Sequence, residues 1–271
     1  EASPAYAGAY SDRAVLSSRQ GKYGDCATDA GRAIALDPEN GDFHRLRGDC
    51  HFNLGRYADG LKDYDAAIKL NRWDPLAHSR RGLCLHRLGD RSGALASYNK
   101  SLEIPQKDSQ LYLNRAVLYM DMERLPEALT DFNKALDLNT NLVGARIGRG
   151  LCYTYLGRYA EAQKDLDEAI RLDPNNIFAY NNRSYNYFLQ GKYHEALRDA
   201  DKALALKPDY GTALANRGAI YAKQGKYNDA IRDANRAIAL KPASGDGYYA
   251  LGLAYESMGK KDLAQETWKK G

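Results

Sequence analysis

A period of 34 residues runs through this chain without insertion or deletion, and it confines the fold to stacked copies of one small unit. Gly-x-Tyr turns recur at Gly21-Lys22-Tyr23, Gly55-Arg56-Tyr57, Gly157-Arg158-Tyr159, Gly191-Lys192-Tyr193 and Gly225-Lys226-Tyr227, spaced by 34 or, across two divergent repeats, by 102. Counted from the start of each first helix, the repeats span 7–40, 41–74, 75–108, 109–142, 143–176, 177–210, 211–244 and, cut short, 245–271. Each reads as two helices. In the fifth, Ala145 to Leu156 carries one apolar stripe, Gly157 breaks it, and Ala160 to Leu172 carries a second. Asp173-Pro174 then closes the unit, because proline disfavours helix in the residue before it. Residues 1–6 stand ahead as a leader, and Pro4 falls at the thirty-second position of a repeat otherwise absent, so the leader reads as a remnant of an upstream repeat.

Small and large residues alternate in register, as close packing of paired helices requires. The eighth position holds Ala14, Gly48, Gly82, Ala116, Gly150, Ser184, Gly218 and Gly252. The twentieth holds Cys26, Gly60, then Ala94, Ala128, Ala162, Ala196, Ala230 and Ala264, and the twenty-seventh is Ala or Ser in every complete repeat. Tyr119, Tyr153, Tyr187, Tyr221 and Tyr255 fill the eleventh, and Pro38, Pro174, Pro208 and Pro242 the thirty-second. On these residues the chain resembles the tetratricopeptide repeat family over nearly its whole length. The resemblance implies an all-α, right-handed superhelical solenoid of about eight helix-turn-helix repeats, whose first helices line the concave face. Glu123 departs from the turn glycine, and Arg72, Gln106 and Thr140 depart from the closing proline, so the middle junctions are expected to differ in curvature.

Most conspicuous residues belong to this scaffold. Of 21 tyrosines, all but Tyr6, Tyr210, Tyr155, Tyr185 and Tyr249 occupy packing positions, and by the family pattern the last three face the groove. Cys50, Cys84 and Cys152 share the tenth position, and with Cys26 they read as small buried hydrophobes. A Cys26–Cys50 disulfide in an oxidising compartment is the competing reading. His44, His51 and His78 fill packing positions. A zinc site from Cys84 and His86 fails because residues two apart on a helix diverge, so neither metal nor cofactor is called for. Arg recurs at the seventh position up to Arg217, and Asp at the twenty-third; the eighth repeat lacks both, with Leu251 and Thr267. Such joint loss marks Arg149 with Asp165, Arg183 with Asp199, and Arg217 with Asp233 as structural ion pairs rather than a ligand track.

The family pattern assigns the second, fifth, sixth, ninth, twelfth and thirteenth positions to the concave face. In the first two repeats these include Asp12, Arg19, Asp42, Arg45 and Asp49, a mixed polar surface. From the third to the sixth they become apolar: Leu76, Leu83, Leu113, Val117, Met120, Ile147, Leu151, Tyr155, Phe178, Tyr185, Phe188 and Leu189. So many apolar side chains on a wet surface point to a binding groove. Asn114, Asn182 and Asn216 fall on the sixth position, where an amide can donate to and accept from one peptide unit of an extended strand. The family uses such asparagine ladders to hold peptides; here Gly148 breaks the ladder and Asn181 stands beside it. The family's carboxylate clamp for chaperone tails needs Asn at the ninth position, where this chain has Val15, Asp49, Leu83, Val117, Leu151, Tyr185, Ala219 and Leu253.

These residues predict a non-catalytic scaffold that holds a protein or peptide partner. The alternative is a recruiting segment of a larger enzyme or of a signalling or assembly protein. No phosphate-binding glycine loop and no nucleophile–base set interrupts the repeat. The 39 basic and 35 acidic residues are spread evenly, net +4, which argues against nucleic acid, and no apolar run is long enough to enter a membrane. A chain that opens on Glu1 rather than Met is expected to have lost an upstream piece, by signal-peptide cleavage or by trimming. The compartment is then cytoplasmic, periplasmic or secreted. Trp268 lies on a last helix with no helix beyond to cap it, and end-to-end self-association is expected there.

Overall fold

A computed structural model describes the chain from residue 4 to residue 271, so the leader read at 1–6 lies in part outside the described residues. Sixteen α-helices follow one another, with no strand among the described residues. They pair as α1 (Pro4–Arg19) with α2 (Tyr23–Leu36), α3 (Gly41–Asn53) with α4 (Tyr57–Leu70), α5 (Pro75–Arg87) with α6 (Arg91–Glu103), and α7 (Ser109–Asp121) with α8 (Leu125–Leu138). The series continues as α9 (Val143–Tyr155) with α10 (Tyr159–Leu172), α11 (Ile177–Leu189) with α12 (Tyr193–Leu206), α13 (Gly211–Lys223) with α14 (Tyr227–Leu240), and α15 (Gly245–Ser257) with α16 (Lys261–Trp268).

The turn inside each pair has one chemistry. Gly55, at φ 74°, closes α3: its N–H reaches the Phe52 carbonyl while that of Arg56 reaches His51, which satisfies the carbonyls the helix end leaves over. Glu123 adopts φ 59° and makes the same pair of bonds to Met120 and Tyr119, so the divergent fourth repeat keeps the turn. A side chain in that left-handed region costs about 1–2 kcal/mol. The junctions between pairs are also conserved in geometry where they differ in sequence. His44 meets the Pro38 carbonyl, His78 that of Arg72, Arg146 that of Thr140, and Tyr180 that of Pro174. The acceptor is backbone, which is why losing the proline at Arg72 and Thr140 leaves this contact in place.

The contacts divide the chain into two compact units, Glu1–Asp131 and Phe132–Gly271. In the first, a core of Ala14, Cys26, Ala30 and Cys50 sits between α1 and α3, and a second core is built on Leu85, Ala94, Tyr98, Leu111 and Leu118. Cys26 and Cys50 are joined by a disulfide, their Cα atoms 5.9 Å apart, so of the two readings of these cysteines the covalent one holds. Cys84 and Cys152 remain buried thiols, pushed up to about 12 and about 11 chiefly by burial. In the second unit the core is alanine-rich: Ala203, Ala213, Ala215, Ala219, Ala222, Ala230 and Ala234 let the helices approach closely around Leu214.

A ladder of guanidinium forks runs through both units. Arg115 donates to both oxygens of Asp131 at 2.7 and 2.8 Å, and through Nη1 to Asn99 at 2.7 Å. Arg149 does the same with Asp165 and Asn133, and Arg183 with Asp199 and Asp167, while Arg217 donates through Nε to one oxygen of Asp233 at 2.6 Å and through Nη1 to Asp201 at 2.8 Å. Each arginine therefore ties the second helix of its own pair to the second helix of the pair before. Arg81 shows the rule by exception: Ser97 stands where the aspartate would be, and the guanidinium bonds Ser97 Oγ and Asp65, both at 2.6 Å.

Candidate functional site

Within each unit, first helices pack on first helices: α1 on α3, α3 on α5 and α5 on α7, then α9 on α11, α11 on α13 and α13 on α15. Second helices do not pack on one another for α2 and α4, α4 and α6, α10 and α12, α12 and α14, or α14 and α16. The first helices are thus drawn together, and their free side is the inner face of each unit.

In the first unit that face starts polar and internally paired. Arg45 donates to Asp42 at 2.5 Å and lies 3.2 Å from Asp74, while Asp49 accepts from the Tyr64 hydroxyl at 2.7 Å and lies 3.3 Å from Arg80. Further on, Leu76 and Val117 are exposed and Leu113 and Met120 half-buried, whereas Leu83 leans into the core beside Leu85 and Leu111. Asn114 accepts from Gln110 of its own helix at 2.9 Å.

The second unit carries the more open face. Tyr155 is 55% exposed and Phe178 52%, Leu189 is exposed at the far end of α11 from Phe178, and Ile147, Leu151 and Tyr185 are half-buried. The rings are ordered against one another: Tyr155 meets Tyr185 edge-on at 6.3 Å, and Phe178 meets Tyr210 edge-on at 5.8 Å. Phe188 is different. It packs on Tyr193 at 5.9 Å and into the core around Ala196, Ala200 and Ile220, which makes it scaffold in large part. Burial raises the phenols of Tyr155 and Tyr185, and the Asp246 carboxylate, from the first turn of α15, raises both further.

Asparagines knit this face from below. Asn216 donates to Asn181 at 3.0 Å, and Asn181 donates to Asn182 at 3.3 Å, with Asn181 buried between them. The ladder read from sequence is thus bridged by a residue one position off it. Gly148 interrupts it for a steric reason: a Cβ there would lie 2.4 Å from the ring of the buried Phe132. Two features escaped the sequence reading. Asn186, at the position of the cysteines, is fully buried and donates to the Tyr159 carbonyl at 3.3 Å. Ala215, Ala219 and Ala222 are buried although the pattern turns them to the groove, because their small size lets α15 close onto α13. The face therefore narrows at the seventh repeat.

Tetratricopeptide repeat models match residues 12–70, 52–109 and 108–173, and a TPR repeat model matches 185–225 and 218–259. The chain belongs to the tetratricopeptide repeat family. Its fold class is the all-α TPR solenoid, here with seven full repeats and an eighth that ends in the short α16. Among solved structures, a tetratricopeptide repeat protein from Parabacteroides merdae is 21% identical, over 92% of this chain and 98% of that one, at a TM-score of 0.73. The Cut9–Hcn1 hetero-tetramer of the APC/C is similar over 92% of this chain and 49% of the other, at 18% identity and a TM-score of 0.73. YrrB, a TPR protein with an unusual peptide-binding site, is 23% identical over 68% of this chain and 95% of its own, at a TM-score of 0.55. At these identities the likeness shows the fold. A search of the curated proteins finds no match to this sequence. No helix among the described residues is long and apolar enough to cross a membrane.

Proposed function

We propose that this TPR protein is a non-catalytic interaction scaffold, and that the inner face of α9, α11 and α15 holds an extended or helical segment of a protein partner. The observation that carries this reading is the exposure of two ring pairs, Tyr155 with Tyr185 and Phe178 with Tyr210, on a face whose supporting asparagines are already bonded below. A patch of this kind gains by being covered, since burying apolar area stabilises by about 25 cal/mol per Å². YrrB offers a precedent for peptide binding by a TPR fold, and Cut9 one for assembly with another chain.

Selection of phage-displayed dodecapeptides on the full chain supplies defined ligands. Replacing Phe178→Ala and Tyr185→Ala together should weaken a selected peptide by about tenfold or more, the size of effect that buried aromatic anchors give. Phe178 is open enough that its truncation leaves the cores intact, and an unchanged melting curve would verify this. Equal affinity of the double variant and the parent chain would reject the assignment of this face.

A further inference from the structure

Four pairs of aromatic rings meet among the described residues, and two of them share α11 on the inner face. Tyr185 meets Tyr155 of α9, and Phe178 meets Tyr210, the residue at the N-cap of α13. Each of these pairs contains a ring more than half exposed, whereas Phe52 with Tyr57 and Phe188 with Tyr193 are half-buried in both members. The first pair bridges α9 to α11 and the second α11 to the start of α13, helices that already pack on one another. The scaffold itself therefore sets the positions of the rings.

Their spacing follows from α11. Phe178, Asn182, Tyr185 and Leu189 stand at i, i+4, i+7 and i+11, which places them along one stripe of that helix. Seven steps of about 1.5 Å separate the two ring-bearing positions by about 10 Å. One turn of a polyproline II helix, three residues at about 3.1 Å, covers about 9 Å.

Asn182 occupies the stripe between the pairs, and its neighbours orient its amide. Asn216 donates to Asn181 at 3.0 Å and Asn181 to the side-chain carbonyl of Asn182 at 3.3 Å. This chain of amides ends on the Asn182 N–H groups, which have no partner among the described residues. The phenols of Tyr155 and Tyr185, raised by burial, stay protonated and can donate as well. An ordinary extended segment brings one N–H for every carbonyl, and between the ring pairs that N–H would face the hydrogens of Asn182. Proline brings the carbonyl alone. It also brings a compact apolar ring that aromatic-lined grooves accept, on a backbone already extended and stiff before binding.

We infer that the two ring pairs and Asn182 form a recognition site for a proline-rich segment of the partner, bound as a polyproline II helix with one proline against each pair. The inference rests on the inner face of the second unit being a peptide site, and it adds the class of sequence that the site takes.

Dodecapeptides selected on the full chain should carry two prolines about three residues apart. Exchanging either proline for alanine should weaken binding to the parent chain by about tenfold. Part of that loss reflects the stiffness of the free peptide and persists against any variant. The part due to the rings should vanish: against Tyr155→Leu or Phe178→Leu, the loss at the matching proline should shrink to about threefold or less. Asn182→Asp keeps the acceptor for Asn181 and removes the free donors. It should weaken the proline peptides by about fivefold or more, with an unchanged melting curve. Selected peptides that lack paired prolines, yet lose affinity for the Phe178→Ala, Tyr185→Ala double variant, would overturn the proline site and leave the peptide face standing. Equal proline losses in the parent and both leucine variants would overturn it too, as would full affinity of the Asn182→Asp chain. A selection that yields no binder would overturn both readings.

Discussion

Replacing Arg183 with alanine is expected to destabilise the protein by about 3–5 kcal/mol, seen as a fall in Tm and in the urea midpoint. Asp199 is 5% exposed at its side chain, and both of its oxygens are held by Arg183 at 2.6 and 2.8 Å. Taking the guanidinium away strands a buried carboxylate, and it also releases Asp167, which Arg183 holds at 2.7 Å from the preceding pair of helices. Burial alone would lower the basicity of this guanidinium; the hydrogen bonds it donates to Asp199 and Asp167 outweigh burial and hold the group above its ordinary range. The control is the joint exchange Arg183→Met with Asp199→Leu, which removes both charges and keeps the volume. That variant should recover much of the loss, because a buried ion pair often stabilises no more than an apolar pair of the same shape. If Arg183→Ala melts with the parent chain but fails to bind the selected peptides, the arginine ladder is a ligand track and its structural assignment is wrong.

Reduction of the Cys26–Cys50 bond should cost about 3 kcal/mol, the loop-closure contribution for a bridge across a short segment. The sequence separation is 24, and the bond ties α2 to α3 across the first two repeats, where the buried core is small, two alanines beside the two cysteines themselves. The unfolding midpoint should fall on adding reductant, and the Cys26→Ala, Cys50→Ala double variant should melt at the lower value with and without it. Alkylation of the denatured chain should label only Cys84 and Cys152 before reduction and all four cysteines after. Labelling of all four without reductant would refute the bridge.

The fold was legible because small and large residues recur in register, and a period leaves few alternatives. The inner face was partly legible, since Tyr155, Phe178 and Tyr185 fall on positions the family turns inward. What stayed hidden depends on geometry between repeats. The second acceptors of the arginine forks, Asn99, Asn133, Asp167 and Asp201, recur as Asn or Asp at the twenty-fifth position, but their role shows only when Arg115, Arg149, Arg183 and Arg217 are seen to reach them. The gap at Gly148 makes sense only beside the Phe132 ring, and the closing of the face at Ala219 only beside α15. Spacing could not decide between packing and pairing for Cys26 and Cys50, because that turns on a distance.

Hydrogen–deuterium exchange of the full chain, alone and saturated with a selected dodecapeptide, bears most directly on whether the inner face of the second unit is the binding surface. Occupation of that face should slow exchange in α9, α11 and α15 and leave α10, α12 and α14 as they were, since a ligand protects the helices whose local opening it opposes. Protection centred on α10, α12 and α14, with the first helices unchanged, would place the partner on the outer side and contradict the function proposed.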